Sequence, residues 1–260
     1  MSESNIVSAL QRQAAILSLL DRQSSVQVVD LADLFNVSKV TIRKDLDELE
    51  NKGKLRRTHG GAVSLSKRVT VSIQDKRVNV NVEAKKAIAR CASEFVDDGD
   101  VLLVDSGTTA LEFVRMLSNK QNITIITGDF TIADMIDKSM PNIDVVMLGG
   151  SLRKGHRYTA GPVAMKALSM LHADKAFVCP TSYIPTKGFL TNYPGMAELK
   201  SSFIRSCKTS FLLMDTSKVM GSGLIRFADI SDVDFIIMEK TNDIVSESLL
   251  ESNTKLIVAD

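Results

Sequence analysis

The 260-residue chain has no tryptophan, five prolines, three cysteines and only 5% aromatic residues. Cys91, Cys179 and Cys207 are odd in number and far apart, with no CxxC pair. That excludes a disulfide framework, suits a reducing compartment, and leaves the thiols as small hydrophobes in a core. No apolar run approaches the roughly 20 residues that span a bilayer. The opening MSESNIVSALQRQ lacks the basic-then-apolar order of a signal peptide. A phosphate loop of the form GxxxxGK[ST] is also missing, which argues against a nucleoside triphosphate site. These absences lead to the expectation of a cytoplasmic chain with no membrane partner, no metal and no cofactor.

Net charge is almost lacking too, at +1, but it is unevenly distributed. Between Asn36 and Arg77 there are eleven Lys and Arg against five Asp and Glu, so the remainder is mildly acidic. A basic segment on an acidic body points to an anionic partner met by one part of the molecule. A length of 260 residues with 44% hydrophobic residues suits two globular domains.

From Ser8 to Arg22, Leu10, Ala14, Leu17 and Leu20, with Ile16 beside them, recur at helical spacing. Val29, Leu31, Ala32, Leu34 and Phe35 make a short second helix. After a tight Asn36-Val37-Ser38 connection with Ser38 as N-cap, a third helix is predicted over about Lys39 to Asn51. Ile42, Leu46 and Leu49 face inward there, and Gly53 acts as the stop. Three helices with a tight second turn describe a helix-turn-helix. KLRRTHGGAVSL then reads as two strands around Gly60-Gly61, whose positive φ would serve a hairpin turn. The whole is a winged helix-turn-helix.

A helix fits the major groove of B-DNA, with its first turns nearest the base edges. The candidate DNA contacts are Ser38, Lys39, Val40, Thr41, Arg43 and Lys44 on the helix, with Arg56, Arg57 and His59 on the wing. Val40 and Thr41 suit thymine methyls, Arg43 suits guanine, and Lys39 and Lys44 suit phosphates. Asp45, Asp47, Glu48 and Glu50 on the later turns require that end of the helix to tilt away from the duplex. The expected partner is double-stranded operator DNA.

Residues 66–80 read as a polar, basic linker between a DNA-binding domain at 1–65 and a second domain at 81–260. A helix over about Val82–Val96 opens the second domain. Strands are predicted at 101–105, 123–127, 143–148, 174–179, 210–215, 234–238 and 255–258, alternating with helices at 109–118, 130–138, 161–172, 195–206 and 243–251. Short, apolar, Val- and Ile-rich strands mark a parallel sheet buried on both faces, hence a Rossmann-like α/β domain. Ligands gather at the carboxyl ends of such strands. There the sequence offers Asp105, Ser106, Gly107, Thr108 and Thr109 entering a helix, then Thr127, Gly149-Gly150, and Lys218 after Asp215. Backbone donors, hydroxyls and a lysine suit an anion, and carboxylates suit sugar hydroxyls. The expected ligand of this pocket is a small polyhydroxylated anion.

The order VSKVTIRKDLDELENKGKLRRTHGGA resembles the signature of the DeoR-type family of bacterial transcriptional regulators, in which VS-x-x-TIR-x-DL is followed by a wing ending in HGG. An early E-x-KK-x-IA helix, DSGTT, an LGG turn and D-x-SK extend the resemblance over nearly the whole chain. It implies an effector domain similar to ribose-5-phosphate isomerase and CoA-transferase folds, with sugar phosphate bound near Asp105–Thr109, Gly149-Gly150 and Lys218. It further implies a homo-oligomeric repressor of a carbohydrate operon. The chain departs from the family pattern at Thr127-Gly128-Asp129 and in CPTSYIPTKG, where Asp129 adds charge and Pro180, Tyr183 and Pro185 add bulk. The alternative is a sugar-phosphate isomerase with Asp105, Asp215 or Glu198 as base. No acid–base pair is recognisable for it, however, and His156 and His172 lack evident partners.

Overall fold

A computed structural model describes residues 8–23, 25–58, 60–64 and 77–259. The chain divides into two compact units, Met1–Val71 and Ser72–Asp260. His59 and most of the linker lie outside the described residues.

The first unit comprises α1 (Ala9–Gln23), β1 (Ser25–Gln27), α2 (Val28–Phe35), α3 (Lys39–Asn51), β2 (Leu55–Thr58) and β3 (Gly61–Ser64). Ile16, Leu20, Leu31, Ile42, Leu46 and Leu55 are sealed in its core. The apolar stripe expected on α1 is rotated. Leu10 is 77% exposed and Ala14 is also outside, whereas Arg12 and Gln13 are buried. Arg12 Nε donates to Asp45 Oδ2 at 2.5 Å, and Gln13 Nε2 donates to Glu48 Oε2 at 2.8 Å. Polar pairs therefore join α1 to α3, and a periodicity built only on apolar residues misses them. On α3, Ile42, Leu46 and Leu49 face inward as expected. Gly53, at φ +63°, ends the helix, with Gly53 N donating to Glu50 O and Lys54 N to Leu49 O.

The wing gains a strand that sequence periodicity did not show. β1 pairs with β3, giving the order β1-β3-β2. Gly61 lies in β3 without a left-handed φ, so the expected turn role is corrected. A Cβ there would come within 1.8 Å of the Val26 carbonyl oxygen, so glycine is required by the approach of β1.

The second unit contains α4 (Val82–Ser93), β4 (Val101–Val104), α5 (Thr108–Arg115), β5 (Ile123–Thr127), α6 (Phe130–Ser139), β6 (Ile143–Met147), β7 (Ser151–Arg153), β8 (Tyr158–Ala160), α7 (Pro162–Leu168), β9 (Ala173–Val178), β10 (Ser182–Ile184), β11 (Gly188–Thr191), α8 (Pro194–Arg205), β12 (Cys207–Leu213), β13 (Ile225–Ala228), β14 (Phe235–Met238), α9 (Asp243–Leu249) and β15 (Lys255–Val258). Seven strands form a wholly parallel sheet in the order β15-β14-β12-β9-β4-β5-β6. The chain leaves β4 to one side for β5 and β6, then returns to its other side for β9. The order therefore reverses between β4 and β9, where a doubly wound sheet opens a crevice. Apolar clusters built on Phe113 and Phe177 and on Phe189 and Phe203 fill the core. The edge strand β6 is more exposed than a strand buried on both faces. Two small antiparallel sheets, β7-β8 and β10-β11-β13, were not visible in the sequence.

Candidate nucleic-acid surface and ligand cavity

Ser38 caps α3: its Oγ accepts from Thr41 N at 3.1 Å and lies 2.8 Å from Thr41 Oγ1. Thr41 is half-buried and its hydroxyl is engaged in the cap. Lys39, Arg43 and Lys44 stand exposed around the first turns, and Val40 is 70% exposed. Arg56 is exposed on β2.

Arg57 is placed differently from an outward contact. Its Nη1 donates to the Arg43 carbonyl at 3.0 Å and pairs with Asp47, while its Nε donates to Gly61 O at 3.3 Å. Glu50 Oε1 accepts from Arg57 N at 2.7 Å. The four acidic groups of α3 thus have internal partners, in Arg12, Gln13 and Arg57. Arg57 fastens the wing to the helix.

In the second unit, a cavity of about 140 Å³ opens at the β4/β9 switch point. Ser106, Gly107, Thr108 and Thr109 form one wall. Gly107, at φ +128°, turns the chain from β4 into α5. The loop offers fewer free donors than expected, because Gly107 N donates to Asp129 Oδ2 at 3.3 Å. Asp129 is fully buried and caps α6, its Oδ1 accepting from Thr131 N at 2.8 Å. Its charge holds the loop and does not line the cavity.

Lys200, on α8, projects into the cavity. It pairs with Asp105 and donates to the Cys179 carbonyl at 2.8 Å, and Asp105 Oδ2 accepts from Cys179 N at 2.9 Å. This network ties the ends of β4 and β9 together. Asp105 is only 2% exposed and sits behind Lys200 instead of lining the cavity. The Cys179 thiol, pushed up to about 12 by burial and then by Asp105, is held neutral.

Asp215, 1% exposed, lines the cavity. Its Oδ1 accepts from Asn81 Nδ2 at 3.0 Å and from Ser217 N at 3.1 Å. Its Oδ2 is buried without a hydrogen-bond partner, 3.9 Å from Lys218 Nζ.

Arg153 and His156 enter from the β7–β8 hairpin. Arg153 donates to the Tyr158 hydroxyl at 2.6 Å and lies 4.3 Å from the centre of the Tyr193 ring. Burial, then the charges of Arg153 and Arg77, lower the His156 pKa, and its ring packs edge-on against Tyr158. Arg77, Val80 and Lys85 also line the cavity.

The structure brings Ser106–Thr109 and Lys218 together as expected. It does not bring in Thr127, Gly149 or Gly150. Thr127 is fully buried and accepts from Asp129 N at 3.1 Å, and a Cβ on Gly150 would meet Ala160 O at 2.8 Å. Thr127 and Gly150 are packing positions, whereas Gly149 has a left-handed φ of +57° and open space where a Cβ would stand. Tyr183 packs in the core 4.9 Å from Phe189, so its bulk does not enter the cavity, whereas Pro180 does line it. Glu198 and His172 are exposed and outside the lining.

Sequence reasoning missed Lys200, Arg153, Arg77 and Asn192. Lys85 was visible only within the E-x-KK-x-IA pattern. Among the described residues, no helix is long and apolar enough to cross a membrane.

Residues 12–68 match the family described as DeoR-like helix-turn-helix domain, and residues 80–240 match DeoR C terminal sensor domain. The chain is 32% identical over 249 residues to the HTH-type transcriptional regulator YulB of Bacillus subtilis (strain 168), covering 96% of each. It is 32% identical to the transcriptional repressor AccR of Agrobacterium fabrum, covering 97% of this chain and 98% of that one. It is 29% identical to the HTH-type transcriptional repressor GlcR of Bacillus subtilis, covering 96% of each. Among solved structures, ribose 5-phosphate isomerase A from Methanocaldococcus jannaschii aligns with 54% of this chain and 55% of that one, at TM-score 0.41 and 20% identity.

Proposed function

The chain belongs to the DeoR family and is a DNA-binding transcriptional regulator, not an enzyme, and from that premise we propose that it represses a carbohydrate operon until a phosphorylated sugar fills the cavity. One observation carries the ligand reading. Arg77, Lys85, Arg153 and Lys218, besides Lys200 whose charge Asp105 balances, line a cavity whose only lining carboxylate among the described residues is Asp215. Such an excess of cations favours a dianion. The Ser106–Thr109 loop at the start of α5 adds backbone donors and hydroxyls for the phosphate. The unpartnered Asp215 Oδ2 suits a sugar hydroxyl, because a buried acceptor left unpaired is costly.

Operator contact rests on Lys39, Val40, Arg43 and Lys44 at the start of α3 and on Arg56 of the wing, all exposed. Ser38, Thr41 and Arg57 hold those elements in place. His59, the remaining wing candidate, lies outside the described residues. The DNA-binding domain spans 1–65 and the sensor domain 81–260, joined by 66–80. The protein works in the cytoplasm as a homo-oligomer, since two half-sites about one helical turn apart, or a multiple of it, require two DNA-binding domains. Induction follows from linkage: the ligand binds the DNA-incompetent arrangement more tightly, by about 1–3 kcal/mol in typical cases.

Ribose 5-phosphate, fructose 6-phosphate and glucose 6-phosphate, each beside its unphosphorylated sugar, test this by thermal shift and operator anisotropy. A phosphorylated member should stabilise the protein by about 2.7 kcal/mol at a hundredfold excess over Kd and weaken operator binding. Thr108→Val with Thr109→Val should keep operator binding and lose the response. If phosphorylated and free sugars act alike, the reading fails.

A further inference from the structure

Part of the cavity wall comes from the chain that leads back to the DNA-binding unit. Arg77, Val80 and Asn81 all line the cavity. Counting backward from Arg77, a handful of residues reach the boundary between the units. This segment is fastened to the sensor unit at both ends. Lys85 lies beneath it, only 4% exposed, and its Nζ donates to Arg77 O at 2.6 Å and Val80 O at 2.5 Å. Asn81 has a left-handed φ of +52°, and its side-chain amide donates to Asp215 Oδ1 at 3.0 Å and Ser217 Oγ at 3.1 Å.

These anchors are themselves cavity groups. Lys85 and Asp215 line the cavity, and Asp215 keeps one buried oxygen unpartnered. A bound anion offers Lys85 and Arg77 a new acceptor, and a ligand hydroxyl offers Asp215 a new donor. Both compete with, or complete, the bonds that set the path of residues 77–81. Burial lowers the pKa of Lys85, with Asp215 opposing and Lys218 reinforcing that shift, so its ammonium is poorly solvated and an added anion is strongly felt.

We propose that residues 77–81 are both a binding wall and the coupling strap of this regulator: ligand in the cavity grips Arg77 and Asn81, Lys85 positions the strap, and the state of the strap is passed along the chain to the DNA-binding unit. The proposal rests on the cavity being the effector site.

The experiment uses full-length protein, operator anisotropy, and whichever of ribose 5-phosphate, fructose 6-phosphate or glucose 6-phosphate acts on the wild type. The measured quantity is the ratio of operator Kd with saturating ligand to that without it. Saturation is established for each variant by calorimetry, so weakened ligand binding is offset by concentration. The wild-type ratio should be about fivefold or more. In Lys85→Met and in Asn81→Ala it should fall to within about twofold of unity, while Lys85→Arg, which keeps the cation, retains part of it. Wild-type ratios in saturated Lys85→Met and Asn81→Ala overturn the strap. Asn81 is exposed, so its variant serves if Lys85→Met does not fold.

A ligand-free arm separates this idea from the effector reading. Without any sugar phosphate, Lys85→Met should change operator Kd by about threefold or more. Arg90→Met, exposed on the same helix, should not. If no sugar phosphate acts on the wild type, the effector reading fails. The strap then stands or falls on this arm, and an unchanged operator Kd in Lys85→Met overturns it.

Discussion

His156 had no evident partner in the sequence, yet it packs against Tyr158 at the cavity and feels the charges of Arg153 and Arg77. Its pKa is depressed by burial and by Arg153 and Arg77, so it loses its proton at lower pH than the usual value of about 6.5. A bound phosphate dianion opposes those two cations and pushes the pKa back up. Ligand binding should therefore draw a fraction of a proton onto His156 in the pH window just below about 6.5. Calorimetry in buffers of different ionisation enthalpy should show more proton uptake for wild type than for His156→Gln. Equal uptake would remove His156 from the ligand's surroundings. Lys200 teaches the same lesson at this scale. It lies two residues from Glu198, which was a candidate base, but Lys200 faces the cavity and Glu198 faces out. Sequence spacing on an apolar-rich helix identifies the buried face without saying which polar residue shares it.

Among the elements, α3 was predicted within its observed limits, because Ser38, the Ile42-Leu46-Leu49 stripe and Gly53 are local signals. The seven parallel strands were likewise legible to within about one to three residues, since runs of Val and Ile bounded by polar turns are local as well. β1, β7, β8, β10, β11 and β13 were not, because each is stabilised by partners that local patterning does not reveal. The wing illustrates the consequence. Gly61→Ala should cost about 1–3 kcal/mol, read as a lower melting temperature, because β1 leaves no room for a Cβ. An unchanged melting temperature would mean that β1 does not pack there. Arg43 and Arg57, both basic and both expected at DNA, should now separate. Arg43→Ala should cost about 1–3 kcal/mol and relax preference at one base pair. Arg57→Ala frees the wing and Asp47, so it should weaken all duplexes alike and lower stability. If Arg57→Ala alters the preference at a single base pair, its fastening role is wrong.

For the whole molecule, the uneven charge noted in the sequence predicts how binding answers to salt. Each neutralised phosphate contributes about 0.9 to the slope of log affinity against log salt. Lys44→Ala should reduce that slope by about 0.9 per DNA-binding unit, with sequence preference intact. A slope identical to wild type would take Lys44 off the phosphates. The sequence by itself determined the two-unit plan, the helix-turn-helix, the alternating α/β order and the glycine-containing turn from β4 into α5, because each is written in neighbouring residues through periodicity, capping and local charge. Only the tertiary structure decided which strand ends meet. The reversal of strand order between β4 and β9 brings Asp105, Cys179 and Lys200 together, while Gly150 is set against Ala160 O and the end of the linker lines the cavity. Those outcomes depend on contacts between residues far apart in the chain, and no local pattern carries them.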